Sequence, residues 1–206
     1  MLRKPLASLT LLALGFLWAS PVWAHGGDGG DQPALSGVMH LLTSPLSLAA
    51  LIGLGVALAG LPERLSLIAG VCAAAASVAA AALPAFAVTL APSTAPAALV
   101  VIGLTSVLAL KPSATGAVLL SLLAGMAAGH AADLDTPHWQ GIAGIAGAVL
   151  FIVLSTLGGS EDLARVLKTK MLWLNNALPI ARRVVGSWIA AIGLLLTALA
   201  LNGKAI

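Results

Sequence analysis

Long stretches without charge alternate with short polar segments along the chain. No Asp, Glu, Lys or Arg occurs from Gln32 to Pro62, and none occurs from Leu65 to Leu110. A helix needs about 20 apolar residues to cross a bilayer, so the first stretch accommodates one span and the second accommodates two. Three more apolar segments follow. The pattern predicts six membrane-spanning helices, at about 38–61, 65–90, 97–110, 114–132, 139–157 and 184–202.

Helix-breaking residues interrupt two of these apolar segments. Residues 92–96 contain two prolines and divide the long second stretch. Pro45, with Ser44 and Ser47, stands inside the first span, where it is expected to loosen the helix and free carbonyl groups toward a cavity. The more polar segment near 161–181 is expected to lie at the membrane interface between the fifth and sixth spans.

The first 24 residues have the pattern of a secretory signal peptide. Arg3 and Lys4 give it a positive start, and Leu6–Trp18 gives it an apolar centre. Val22 and Ala24 are the small residues that signal peptidase requires at its first and third positions. An uncleaved anchor helix is the alternative, because a bulky Trp stands between those two residues.

Cleavage after residue 24 divides the chain into three parts. The signal peptide, residues 1–24, is removed. Residues 25–37 form an external N-terminal segment rich in Gly and Asp, which begins with His25. Residues 38–206 form a single transmembrane helical domain.

Basic residues gather on one side of the predicted topology. With the mature N-terminus outside, the connections near 62–64, 111–113 and 158–183 face the cytoplasm. They contain seven of the eight basic residues of the mature chain, namely Arg64, Lys111, Arg165, Lys168, Lys170, Arg182 and Arg183. This distribution follows the positive-inside rule. It predicts a multi-pass protein of the bacterial inner membrane with its N-terminus on the periplasmic side.

Composition restricts the class of protein further. Only 8% of the residues are charged and 60% are hydrophobic, whereas soluble domains are about 25% charged. The lack of Tyr disfavours a β-barrel with aromatic girdles, and 22 Gly, with Gly125-x-x-x-Gly129, favour close helix packing in lipid. The basic residues form no stripe, which excludes nucleic-acid binding. The predicted fold class is all-α, a polytopic membrane helix bundle of about six spans after a cleavable signal peptide.

All four histidines fall on the external side of this topology. Four of the seven acidic residues fall there too, whereas the other three lie among the cytoplasmic bases. Neutral imidazole together with carboxylate suits Ni²⁺, Co²⁺, Zn²⁺ or Cu²⁺, so this face is the candidate metal-binding side. The candidate ligands are His25, His40, His130, Asp133, Asp135 and His138.

Each candidate ligand also has a structural explanation. His25 fits a flexible Gly-rich tail, and residues 130–138 fit a polar loop with a helix-capping acid. His40 fits a buried histidine bonded to one backbone carbonyl, but an ionisable group at its depth in a span favours a functional role. The sequence leaves these alternatives open.

The layout of the chain resembles one family of small membrane proteins. A signal peptide, a His directly after the cleavage site, six short spans rich in Ala, Gly and Leu, and a late external His cluster are similar to the HupE/UreJ family. Its members are regarded as nickel or cobalt permeases that serve hydrogenase and urease. The resemblance implies a helical multi-pass fold, a transported divalent metal such as nickel or cobalt, and metalloenzyme maturation partners.

Short motifs carry the resemblance at two places. Ser36–His40 fits the lead-in to the first-span motif His-Pro-x-x-Gly-x-Asp-His, with His40 as its first His. Gly129-His130 fits the start of the second His-rich motif, with Asp133 or Asp135 as its acidic end. The first motif departs at four positions, where Pro, Gly, Asp and the second His are replaced by Leu41, Ser44, Leu46 and Ser47. Because two ligands are lost, the resemblance does not extend to nickel specificity.

These features predict a permease or accessory protein that imports a divalent transition metal captured by external His and Asp side chains. One alternative is a membrane scaffold or assembly factor for a metalloenzyme, which docks partners on 161–183; another is a b-haem protein ligated by His40 and His130. No nucleophile–base pair and no phosphate-binding loop occurs, so no enzymatic activity is expected. The expected partners are the bilayer, the metal ion, and a second copy or a maturation protein, with no resident cofactor predicted.

Overall fold

The computed structural model describes residues 33–83, 90–131, 139–170 and 177–203, and for 160–170 it describes the backbone alone. The predicted signal peptide and the external segment up to Gln32 lie outside these residues. All regular structure in the described ranges is α-helical. The helices are α1 Pro33–Thr43, α2 Pro45–Ala57, α3 Glu63–Ala82, α4 Thr94–Val107, α5 Ala114–Ala131, α6 Trp139–Lys170 and α7 Ala177–Leu201.

Four of the described helices, α3, α5, α6 and α7, are long and apolar enough to cross a membrane. The bent pair α1 and α2 makes a fifth if it counts as one broken span. Helix α4 has 14 residues, about 21 Å at about 1.5 Å per residue, which is short of the roughly 30 Å of a hydrocarbon core. The expected helical membrane bundle is therefore confirmed, whereas six full spans are not.

Two boundaries differ from those expected from the sequence. The candidate span Trp139–Gly159 agrees with the fifth predicted span, but helix α6 continues to Lys170, into the segment near 161–181 that was expected at the membrane interface. Helix α7 begins at Ala177 instead of near residue 184. Both extensions contain charged residues, which end an apolar span in the sequence pattern but do not end a helix, since Lys, Arg and Glu are good helix formers.

Contacts between helices fix their relative directions. Ser47 at the start of α2 contacts Ala128 at the end of α5, and Pro96 at the start of α4 lies against Gly193 late in α7. These pairs are antiparallel, and short connections make successive helices from α2 to α7 alternate in direction. The bundle thus has a Ser44 end, where α1, α3, α5 and α7 finish, and an Arg182 end, where α2 finishes and α3, α5 and α7 begin.

Helix α2 occupies the centre of the bundle. It packs against α4, α5, α6 and α7, and Leu51 and Leu54 in its middle are fully buried. Its 13 residues extend only about 20 Å. A helix leaves backbone groups unpaired at both of its ends, and neighbouring helices and side chains supply partners for some of those of α2.

Glycines allow the helices to approach each other with backbone against backbone. A Cβ atom on Gly125 would overlap the carbonyl group of Ala73, and one on Gly129 would overlap that of Ser77. The close-approach motif expected at Gly125-x-x-x-Gly129 is therefore confirmed, as the parallel contact between α5 and α3. The same close contact recurs between α1 and α6 and between α4 and α7, at Gly37, Gly141, Gly144, Gly103 and Gly186.

We expect Gly125→Ala to destabilise the bundle, because the new methyl group meets a backbone carbonyl that cannot rotate away. Overpacking of this kind costs about 1–3 kcal/mol. Gly147→Ala in α6 is the matched control, because no described atom lies within 4 Å of a Cβ placed there, and the change improves helix propensity by about 1 kcal/mol. Thermal unfolding of both purified variants in detergent tests the prediction, which fails if Gly125→Ala unfolds at or above the temperature of Gly147→Ala.

Candidate functional site

The first span is interrupted at Ser44. The axes of its two halves, Ala34–Thr43 and Pro45–Ala57, differ by 80°. Pro45 causes the break, because it has no N–H group for the Leu41 carbonyl and it drives the preceding residue away from helical geometry. Ser44 accordingly has an extended backbone, with φ −84° and ψ 107°. The loosened helix expected from the sequence is confirmed at this position.

Local hydrogen bonds form on both sides of the break. The Thr43 hydroxyl donates to the Met39 carbonyl at 2.8 Å, and the Ser44 N–H donates to the His40 carbonyl at 3.2 Å. On the other side of the break, the Ser44 side chain accepts from the N–H of Ser47 at 3.3 Å and so caps α2. These bonds give the 80° bend a defined geometry.

Ser47 joins the break to the end of α5. Its side chain is fully buried, and its hydroxyl donates to the Ala128 carbonyl at 3.0 Å. The Ser44 hydroxyl oxygen lies 3.0 Å from that of Ser47. Ala128 is in the last turn of α5, two residues before His130. The bend and the His130 turn are therefore held together across the bundle.

His40 and His130 occupy equivalent places in their helices. His40 is in the last turn of α1, and His130 is in the last turn of α5, so both lie at the Ser44 end. Both side chains are partly exposed. In the described ranges neither imidazole makes a hydrogen bond or an ion pair. The alternative of a buried His40 bonded to a backbone carbonyl is therefore wrong.

The other four candidate ligands, His25, Asp133, Asp135 and His138, lie outside the described residues. Among the residues that are described, no group of three or more His, Cys, Asp or Glu side chains is placed to hold a metal ion. The structure thus brings two of the six predicted ligands to one end of the bundle.

An open groove of about 550 Å³ lies beside this region, between α1 and α6. Its lining is apolar except for Gln140, and neither His40 nor His130 contributes to it. The lining residues are Ala34, Leu35, Val38, Gln140, Ala143, Gly144, Gly147 and Ala148. The groove is thus a surface feature of the α1–α6 contact and is separate from the two imidazoles.

A second polar contact lies at the Arg182 end and was missed from the sequence. The guanidinium of Arg182 donates to the Val56 carbonyl through Nε at 3.2 Å and through Nη2 at 3.0 Å, and Nη2 also donates to the Ala59 carbonyl. The sequence assigned Arg182 to topology, as one of several cytoplasmic bases, and in the scaffold alternative to a docking segment at 161–183. No local signal distinguishes it from Arg183, because its partners lie more than 120 residues earlier in the chain.

Comparison with known proteins found no relative, because no protein family, curated protein or solved structure matches the chain.

We expect Ser47→Ala to weaken the link between the break and α5. Loss of one buried hydrogen bond costs about 1 kcal/mol, or somewhat less between membrane helices. Ser187→Ala is the control, because the exposed Ser187 hydroxyl donates only to Val184 within its own helix. Unfolding of the purified variants in SDS titrations measures both changes. Equal stability of the two variants would contradict a structural role for the Ser47 contact.

Proposed function

We propose that the chain is a membrane permease that imports a divalent transition metal ion, with nickel-like or cobalt-like chemistry. His40 and His130 capture the ion at the Ser44 end, and His25, Asp133, Asp135 and His138 complete its ligand set. The supporting observation is a pair of imidazoles, in the last turns of α1 and α5, that make no hydrogen bond or ion pair in the described ranges. They lie at the same end of the bundle as the break at Ser44.

Helix electrostatics favour a cation at this position. The C-terminal end of an α-helix carries about half a negative charge, from carbonyl groups that have no partner within the helix. His40 and His130 lie in the last turns of α1 and α5, so each imidazole lies beside one such helix end. Neutral imidazole nitrogen is a preferred ligand of nickel, cobalt, copper and zinc. The combination therefore suits a divalent transition metal better than an anion.

Transport in this proposal requires the helices to rearrange. Between the two ends, the bundle is filled by fully buried side chains of α2 and α6, including Leu51, Leu54, Val149 and Val153. The ion is thus held at the Ser44 end in the conformation described here, and it passes the centre only when the packing around α2 changes. Interruption of a span near the binding site is a feature of transporters that work in this way.

The charge distribution supports import rather than export. Arg64, Lys111, Arg182 and Arg183 all lie at the Arg182 end, at the starts of α3, α5 and α7 or just before them. The positive-inside rule assigns this end to the cytoplasm. The Ser44 end, with both histidines, then faces the periplasm and receives ions from outside.

We expect His40→Ala and His130→Ala each to lower the initial rate of nickel or cobalt accumulation in cells by about tenfold, which corresponds to ~1.4 kcal/mol of lost binding. Met39→Ala is the matched control, because Met39 precedes His40 on the same helix and is exposed. Uptake is measured at equal membrane abundance of each variant. Unchanged uptake in both His variants would rule out the proposed capture site.

Titration of the purified wild-type protein with Ni²⁺ and Co²⁺ separates this proposal from the two alternatives. The permease predicts binding that the His40→Ala/His130→Ala double variant loses. A Soret band in the purified protein would instead assign the two imidazoles to haem. If no metal binds above background and no haem is present, the permease is excluded and the scaffold alternative is favoured.

A further inference from the structure

The C-terminal end of α2 presents carbonyl oxygens to a half-buried position beside α7. Helix α2 ends at Ala57, and the carbonyls of the last residues of a helix have no partner within it. The carbonyl of Leu54 is bonded to the N–H of Leu58 at 2.9 Å, whereas that of Val56 receives only a long 3.4 Å contact from the N–H of Ala59. The principal donor to Val56 and Ala59 is the guanidinium of Arg182.

Arg182 has no acidic partner in the described part of the chain. Its hydrogen bonds there go to the Val56 and Ala59 carbonyls alone, and its side chain is partly buried. A guanidinium in this position is normally paired with a carboxylate or phosphate, whose fork geometry it matches. Here the compensating negative charge comes from carbonyl dipoles at the end of a helix.

We infer that the carbonyl oxygens of Val56 and Ala59 form a cation-binding site at the end of α2, and that Arg182 is its built-in cation. Carbonyl oxygens at the ends of interrupted membrane helices coordinate monovalent cations in transporters. In this protein a side chain of α7 occupies the corresponding place, so the site needs no soluble ion. Because the cation is covalently part of α7, it also fixes α7 to the end of α2. The inference is independent of the metal proposed for the Ser44 end.

The neighbouring residue provides a matched comparison. Arg183 has the same charge and lies one position further along α7, but it is exposed and makes no hydrogen bond or ion pair in the described ranges. If the positive charge served only to fix topology, replacing Arg182 or Arg183 would have the same effect on stability. If the charge serves the end of α2, only the replacement of Arg182 would lower stability.

The test uses chemical rescue of the full-length protein in detergent. We expect Arg182→Ala to lower the midpoint of thermal unfolding by about 5 °C, and Arg183→Ala to leave it within about 1 °C. Addition of guanidinium chloride at about 10 mM, far below denaturing concentrations, should restore the Arg182→Ala midpoint, because the free cation fills the vacated site. Choline chloride at the same ionic strength, which is too large to enter, should not restore it.

Arg182→Lys and Arg182→Gln keep the test decisive if Arg182→Ala fails to fold. Lysine retains a cation and glutamine retains only a neutral donor, so the Lys variant should be the more stable of the two. The inference is overturned if Arg182→Ala is as stable as Arg183→Ala, if guanidinium gives no more rescue than choline, or if Arg182→Gln equals or exceeds Arg182→Lys.

Discussion

A lipid bilayer supplies no water to backbone groups, so any break in a membrane helix must be satisfied by the protein itself. Pro45 imposes such a break, and most of the observed arrangement follows from meeting this requirement. Thr43 and Ser44 provide hydroxyl and N–H groups on the two sides of the bend. The result is a short central helix, α2, in the middle of the bundle. Its two ends are bonded to α5 and α7, through Ser47 and Arg182.

The close packing of the helices has a different physical origin from the break at Pro45. Side chains gain little from leaving lipid for a protein interior, so helices associate through van der Waals contact and require small residues at their crossings. Glycines at the α3–α5, α1–α6 and α4–α7 contacts meet this need. These glycines affect the candidate site indirectly, through the positions of the helices. They bring the ends of α1 and α5, and with them His40 and His130, to the same end of one compact bundle.

The sequence allowed prediction of features that depend on local chemistry. The length of the charge-free stretches predicted the membrane helices. Ser44 and Pro45 predicted the break in the first span, and Gly125 with Gly129 predicted a close contact between helices. The sequence did not give the helical continuation of α6 or the early start of α7, because hydropathy locates apolar segments and not the ends of helices. The bonds from Ser47 to Ala128 and from Arg182 to Val56 join residues 81 and 126 positions apart. Such pairings depend on the packing of whole helices and have no local signal.

The two ends of the bundle differ in how their helix dipoles are compensated, and this difference bears on the direction of transport. At the Ser44 end, α1 and α5 finish with their partial negative charge, and His40 and His130 lie in their last turns. At the opposite end, the negative end of α2 is compensated by Arg182. In the proposed permease, a divalent cation is held by the two imidazoles at the first end and meets a resident positive charge at the second. In the proposed permease, an ion that has passed α2 meets repulsion from Arg182 instead of a second strong site. The proposal therefore places release on the side of the basic residues, because tight binding at both ends would hold the ion within the protein.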